Sequence, residues 1–203
     1  MHWDRLFDDL EGQLASEWEA ERAALDAESE RLRIARLDLR SRLRSLCARN
    51  TDTTIDLTDG SRLPVRLQSL GVDWIAAVSR VPQEARVAAS ALLVPLHAVT
   101  GLSVDHGSML ASLEDERLPA RTLRERMPLG FVLRDLARRR IPVHLTTCFG
   151  DDAHGTIDRA AADHLDLALH DTGESRRAAA VRGFRIVPYA ALVVVRLPAD
   201  QRM

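Results

Sequence analysis

The sequence contains no lysine, few aromatic side chains and no long apolar run. All 28 basic residues are arginine, and only 4% of the 203 residues are Phe, Trp or Tyr. A core must therefore be built from Leu, Val, Ile and Ala. No apolar stretch approaches the roughly 18 residues that a membrane-spanning helix needs, so we expect no membrane association.

Cysteine is also scarce, and its placement indicates neither a metal site nor a redox pair. Cys47 and Cys148 belong to no CxxC pattern, and we expect buried or idle thiols. The phosphate-binding, dinucleotide-binding, serine-hydrolase and zinc-protease motifs are absent as well. We therefore expect no catalytic residues, no metal and no cofactor.

Charge and the first residues limit the expected function and compartment. The net charge of −2 provides no overall field that would attract nucleic acid. Richness in Arg, Ala, Leu and Asp is typical of GC-rich bacterial genomes, so arginine content alone is weak evidence for phosphate binding. Acidic residues follow Met1 where a secretory signal would be basic and then apolar, and we expect a cytoplasmic protein.

Residues 4–49 predict one long amphipathic helix. The stretch has no Pro and a single Gly, and it is rich in the helix formers Ala, Leu, Glu and Arg. Leucines and a tryptophan recur every four and then every seven residues, which is coiled-coil spacing in the second half. The predicted dimerisation residues on this stripe are Leu14, Trp18, Leu25, Leu32 and Leu39.

Charge divides this helix into an acidic half and a basic half. Residues 1–30 carry ten acidic side chains against two arginines, and residues 31–49 carry seven arginines against one aspartate. A parallel pair would set like charges together, whereas an antiparallel pair would set the acidic half on the basic half. The pattern predicts an antiparallel homodimer. A helix that folds back on the rest of its own chain is the alternative that the pattern equally allows.

The rest of the chain contains an internal repeat. Residues 55–60 align with residues 145–150 at an offset of 90, and residues 94–99 align with residues 187–192 at an offset of 93. The three extra residues fall in the loop after the third strand of the second copy, where insertions are tolerated. A fixed spacing of this kind indicates a duplicated structural unit.

Each copy reads as five short strands preceded by a helix. Alternation of polar and apolar residues, turn signals such as Asp59-Gly60, and a proline after the fourth strand define the elements. The predicted strands are 53–58, 63–67, 74–78, 91–94 and 99–104 in the first copy, and 143–147, 153–159, 164–170, 178–187 and 191–197 in the second. The helix before the second copy starts after Pro128, a favoured helix-start residue.

These elements predict an α+β protein in four segments. A long, coiled-coil-like helix occupies residues 1–49, and a first five-stranded SH3-like barrel occupies residues 50–106. A linker with a helix follows at 107–140, and a second barrel occupies residues 141–198.

A helix followed by a strongly bent five-stranded sheet resembles the Sm-like fold of bacterial Hfq and the Sm proteins. The likeness is carried by the turn and strands from Asp59 to Ile75, by the Pro-Leu-His-Ala turn at residues 95–98, and by residues 155–167 in the second copy. The chain also resembles uncharacterised proteins of GC-rich bacteria with the same layout. The Sm-like resemblance implies a non-catalytic regulator that associates with RNA or DNA. Asp166 and Ala76 stand where Sm proteins have a base-reading Asn, which argues against the usual base pocket.

The candidate nucleic-acid contacts lie on the second helix and on the first barrel. They are Arg134, Arg138, Arg139, Arg140, His97 and Trp74. A basic helix face holds phosphates without base specificity, and Trp74 offers a stacking platform for a base. For each, a structural alternative stays open: a solvated helix end, a turn histidine bonded to the backbone, and a packing tryptophan.

Two functions follow from these features. The first is an Sm-like regulator bound to RNA or DNA through arginine-rich helix faces. The second is a homodimeric scaffold that binds another protein and no nucleic acid, because exposed strand edges and the N-terminal helix both provide surfaces for partners.

Overall fold

The computed structural model describes residues 3–80, 91–114, 122–172, 177 and 179–198. Its internal contacts divide the chain into two compact units, residues 1–42 and residues 43–203. The first unit is almost entirely helical. The second contains all ten strands together with two further helices and the end of a third.

The N-terminal region forms two helices and not the single one predicted for residues 4–49. Helix α1 spans Trp3–Ala35, and helix α2 spans Leu39–Ala48. The break occurs because the Asp38 side chain accepts a hydrogen bond from the Ser41 N–H at 2.6 Å, which starts a new helix in the manner of an N-cap. None of the helices within the described residues is long and apolar enough to cross a membrane.

The ten strands lie close to their predicted positions. The strands of the first half are β1 Asp52–Leu57, β2 Arg62–Leu70, β3 Trp74–Ser79, β4 Ala91–Pro95 and β5 Val99–Ser103. The strands of the second half are β6 Pro142–Thr147, β7 Asp152–Ala160, β8 His164–Leu169, β9 Gly183–Pro188 and β10 Leu192–Leu197. Between the halves lie α3, His106–Ala111, and α4, Leu129–Arg138. The start predicted for β9 is wrong: the prediction begins the strand at Ala178, which lies outside the described residues, but residues 179–182 form no strand and β9 begins at Gly183.

The prediction of two separate five-stranded barrels is wrong. All ten strands form one antiparallel sheet in the order β5-β1-β2-β3-β4-β10-β6-β7-β8-β9, with β5 and β9 at its two ends. The halves are joined where β4 pairs with β10, with Leu93 opposite Val195. The backbone N–H and C=O groups at an unpaired strand edge need hydrogen-bond partners. Here the edges of β4 and β10 supply these partners to each other.

Within the continuous sheet, the internal repeat is preserved in backbone detail. The strand order β5-β1-β2-β3-β4 of the first half recurs as β10-β6-β7-β8-β9 in the second. Helices α2 and α4 start and end exactly 90 residues apart, as do the left-handed residues Asn50 and Arg140 that follow them. Gly60 and Gly150, with φ of 81° and 78°, occupy the equivalent hairpin turns, which favour glycine because φ is positive.

The apolar core consists of two clusters, and each one combines residues from both halves. One cluster joins Trp74, Ala76 and Leu93 of the first half to α4 and the strands of the second. The other joins Val193 and Val194 of β10 to α2 and the strands of the first half. Strands β3 and β4 are therefore buried on both faces, which explains their nearly continuous apolar sequence.

Candidate interaction surfaces

Helix α1 carries an exposed apolar stripe. Four of the predicted dimerisation residues, Leu14, Trp18, Leu25 and Leu32, lie on α1 and are exposed, as are Phe7 and Leu10. The fifth, Leu39, is also exposed but is the first residue of α2. Apolar side chains at helical spacing normally pack against a partner. The stripe is therefore an apolar surface suited to a second helix.

Local ion pairs form near the end of α1, where the acidic residues of the N-terminal region give way to arginines. The Arg33 guanidinium donates to Glu30 at 2.6 and 2.7 Å, and Arg31 lies 3.6 Å from Glu28. The hydrogen bond from Arg33 holds the pKa of Glu30 below its ordinary value. These pairs lie in the last turns of α1, because most of the basic half predicted for residues 31–49 falls beyond Ala35, in α2 and the turn before it.

The arginines of the predicted phosphate site are held by neighbouring carbonyl and carboxylate oxygens. Arg138 and Arg139 reach the two carboxylate oxygens of Asp135, at 2.6 and 3.6 Å. Arg140 donates to Asp158 at 2.7 Å, and Arg134 donates to the carbonyl of Ala161 at 3.2 Å. The four side chains are exposed, but two aspartates offset half of their positive charge, so their attraction for a phosphate backbone is reduced.

Trp74 lies in the core and presents no face for a nucleic-acid base. Its side chain is 2% exposed, and its indole N–H donates to the carbonyl of Met127 at 2.9 Å. A Cβ on Gly71 would lie 2.1 Å from the indole nitrogen, so glycine is required there for the ring to pack. Trp74 therefore connects β3 to the segment before α4.

His97 lies at the junction between the two halves. Its Nε2 donates to the backbone carbonyl of Leu192 at 3.0 Å, in the short turn between β4 and β5. The histidine thus links this turn to the start of β10 and has the backbone-bonded role that the sequence left open as an alternative.

Three histidines form a row across β6, β7 and the end of β8. His144 and His154 lie opposite each other in the β6–β7 pair, with ring centroids 6.2 Å apart. His154 and His170 stack edge to face at 5.1 Å, and the nearly buried His170 bonds through Nε2 to the hydroxyl of Thr156 at 2.9 Å. Among the described residues, no three His, Cys, Asp or Glu side chains are grouped as a metal ion would require, so we assign this row to packing.

Two of the clefts on the described part of the second unit adjoin its helices. A cleft of about 700 Å³ lies between α2, β2 and residues 122–127, and it contains Cys47 and the Arg44–Glu125 ion pair at 2.9 Å. Burial, reinforced by the negative charge of Glu125, raises the pKa of Cys47 to about 12, so the thiol is neutral and poorly nucleophilic at neutral pH. A smaller cleft of about 230 Å³ lies between α4 and β3 and is mostly apolar.

Strand β9 carries exposed apolar residues that the sequence did not single out. Phe184 and Ile186 of β9 are 63% and 69% exposed. At the offset of 93 they correspond to Ala91 and Leu93 of β4, and Leu93 is completely buried. The signal that could have identified them is the repeat itself, because equivalent positions with such different surroundings indicate a surface that is covered in one copy only.

Comparison of the chain with family models, with curated proteins and with solved structures finds no significant match. Functional proposals for the protein therefore depend on its own residues and their arrangement.

Proposed function

We propose that the protein is a homodimeric protein-interaction scaffold that assembles through an antiparallel pair of α1 helices. The observation that carries this proposal is the exposed stripe of Leu14, Trp18, Leu25 and Leu32 on a helix whose first half is strongly acidic and whose last turns carry Arg31 and Arg33. Burying one such side chain contributes about 1.5–3 kcal/mol before the entropic cost of association. A second copy supplies the same stripe and the complementary charge.

The charge pattern and the stripe together select a register centred on Leu25. In that register Leu25 meets Leu25 of the second copy, and Trp18 meets Leu32. The acidic residues 17–21 then lie beside residues 29–33 of the other helix, which include Arg31 and Arg33. Opposite charges on neighbouring helices favour this orientation and disfavour the parallel one.

Cysteine cross-linking tests the orientation directly. In a Cys148→Ala background, we expect Leu25→Cys to form a disulfide-linked dimer readily and Leu14→Cys to form none. Only the residue at the centre of an antiparallel pair faces its own copy, whereas in a parallel pair every stripe residue does. Efficient cross-linking of both variants would contradict the antiparallel arrangement, and cross-linking of neither would contradict the helix dimer.

The matched control for the stripe lies on the opposite face of α1. We expect Trp18→Glu combined with Leu25→Glu to halve the mass measured by sedimentation at micromolar concentration. Ala20→Glu combined with Ala27→Glu adds the same charge about 180° away around the helix and should leave the mass unchanged. Equal behaviour of the two double variants would show that the stripe is not the interface.

Nucleic-acid association is the second candidate, and a binding measurement separates it from the scaffold. Because Asp135 and Asp158 bind the arginines of α4, we expect mixed-sequence RNA to bind too weakly for detection at micromolar protein, even at low salt. Binding that falls steeply with salt and drops for Arg138→Ala with Arg139→Ala would favour the nucleic-acid function. Arg62→Ala, which removes an exposed arginine from β2, is the control for loss of charge alone.

We propose a reducing compartment, the cytoplasm, for this scaffold. Cys47 and Cys148 are both free thiols, and disulfides would be expected where the environment is oxidising.

A further inference from the structure

The larger cleft of the second unit lies where three segments of the chain meet. Helix α2, the end of β2 and residues 122–127, which belong to the connection between the two halves, all line it. Its volume is about 700 Å³, within the roughly 300–1,000 Å³ that is typical of small-molecule sites. The cleft is therefore large enough to hold a compact organic molecule.

Hydrogen bonds fix the connecting segment that forms one wall of this cleft. The Thr122 N–H donates to Oε1 of Glu125 at 3.2 Å, and the Glu125 N–H donates to the Thr122 hydroxyl at 3.4 Å, a reciprocal arrangement like that of a capping box. The Met127 carbonyl accepts from the Val72 N–H at 3.0 Å and from the indole of Trp74 at 2.9 Å. The wall is thus held at both of its ends, and the cleft is formed before any ligand arrives.

The internal repeat shows that the neutral lining of this cleft belongs to the first half alone. At the offset of 90, Ala48 corresponds to Arg138 and Gln68 to Asp158. In the second half Asp158 accepts from Arg140 at 2.7 Å, so the equivalent place there holds an ion pair. Short or uncharged side chains in the first half leave the space open and spare a ligand the cost of displacing such a pair.

Charge within the cleft is unbalanced by one arginine. Arg44 and Glu125 form an ion pair at 2.9 Å, and both side chains are mostly buried. Arg124 is exposed and donates to the neutral hydroxyl of Ser69 at 2.8 Å. The raised pKa of Cys47 keeps its thiol uncharged at neutral pH. Among the described residues that line the cleft, Arg124 therefore adds a positive charge that no carboxylate offsets.

The remaining walls offer apolar surface beside this arginine. The apolar residues that line the cleft are Ala48, Leu70, Leu123 and Met127. Leu70 is buried at the end of β2, whereas Leu123 is 77% exposed. An apolar lining with a few polar groups that fix the orientation is the usual composition of a small-molecule site.

We infer that this cleft binds a small monocarboxylic acid with an aliphatic or aromatic body. The carboxylate accepts from the Arg124 guanidinium, which has N–H donors beyond the one that reaches Ser69, and the body packs on Leu70 and Met127. One carboxylate balances the one excess positive charge, whereas a polyanion would be repelled by Glu125 in the same cleft. The site lies within the second unit and is independent of the α1 dimer.

Titration with octanoate, kept below the concentration at which it forms micelles, tests the site. We expect saturable shifts of the backbone amide signals of residues 68–70 and 122–127 in heteronuclear NMR spectra. Octan-1-ol has the same chain length and no charge, so it should bind about tenfold more weakly. The absence of saturable shifts, or shifts confined to the stripe of α1, would overturn the inference.

The role of the arginine is tested by removing its charge while keeping its apolar stem. We expect Arg124→Met to lower the affinity for octanoate about tenfold and to leave the affinity for octan-1-ol unchanged. Arg62→Met, which removes another exposed arginine of the first half, is the matched control and should bind octanoate as the parent does. Equal affinities of the two variants for octanoate would contradict the assignment of the carboxylate to Arg124.

Filling the cleft tests its position independently of charge. Ala48 is exposed at its rim, and we expect Ala48→Trp to abolish binding of both octanoate and octan-1-ol. Ala162→Trp, at an exposed position in the turn between β7 and β8, should bind both as the parent does. Circular dichroism checks that each variant is folded, and if Ala48→Trp unfolds, the Arg124→Met comparison decides. Unchanged affinity in a folded Ala48→Trp would show that octanoate does not bind in this cleft.

Discussion

Replacing Leu93 with Ala is expected to destabilise both halves of the sheet at once, by about 3–4 kcal/mol. Leu93 is completely buried in β4, lies opposite Val195 of β10, and belongs to the core cluster of the second half. Removing three carbon atoms leaves a cavity exactly where the halves meet. The loss should appear as one earlier transition in urea unfolding.

Hydrogen exchange determines whether the halves respond together. Amide protection in β2 and in β7 should fall by the same factor in Leu93→Ala, because neither half keeps its core without the other. Leu123→Ala, at a position that is 77% exposed, should change the free energy of unfolding by less than about 0.5 kcal/mol. Two separate unfolding transitions, or lost protection in β2 alone, would show that the halves are independent domains.

Replacing Gly155 with Ala is the second large expected effect, with a loss of about 3 kcal/mol or more. A Cβ at this position in β7 would lie 2.2 Å from the Ala168 carbonyl oxygen and 3.1 Å from the Leu167 side chain. The obstacle is the backbone of the adjacent strand β8, which cannot move without breaking its ladder on both sides. The free energy of unfolding in urea measures the cost.

Gly183→Ala provides the comparison for Gly155→Ala, because both residues lie in strands of the same half. A Cβ on Gly183 would meet nothing within 4 Å among the described residues. This variant should be neutral or slightly more stable, since Ala reduces the entropy of the unfolded chain. If Gly155→Ala were as stable as Gly183→Ala, the close approach of β7 and β8 would be wrong.

The repeat by itself does not identify Gly155 as a sensitive position. At the offset of 90 its equivalent is Val65 of β2, which is buried in the first half. The same strand position thus accepts a branched side chain in one copy and excludes a single carbon in the other. The difference depends on how closely the backbone of β8 approaches β7 at this position.

The predicted site residues also differ in whether local spacing or distant contacts determine their roles. The apolar stripe on α1 could be identified from spacing alone, because residues four and seven apart on a helix share a face. The roles of Trp74 and His97 could not, because their hydrogen-bond partners Met127 and Leu192 are 53 and 95 residues away. The aspartates that offset the arginines of α4 include Asp158, which reaches Arg140 only because β7 packs against this helix.

Local pattern in this sequence was sufficient to locate the ten strands, apart from the start of β9, together with the turn glycines and the duplicated helix–strand unit. Each of these depends on alternation, on backbone conformation or on capping within a few residues. The tertiary structure alone decided that the two copies share one sheet. A strand edge pairs with whichever compatible edge folding brings to it, and that choice depends on contacts about 100 residues apart, between β4 and β10, which no local pattern encodes.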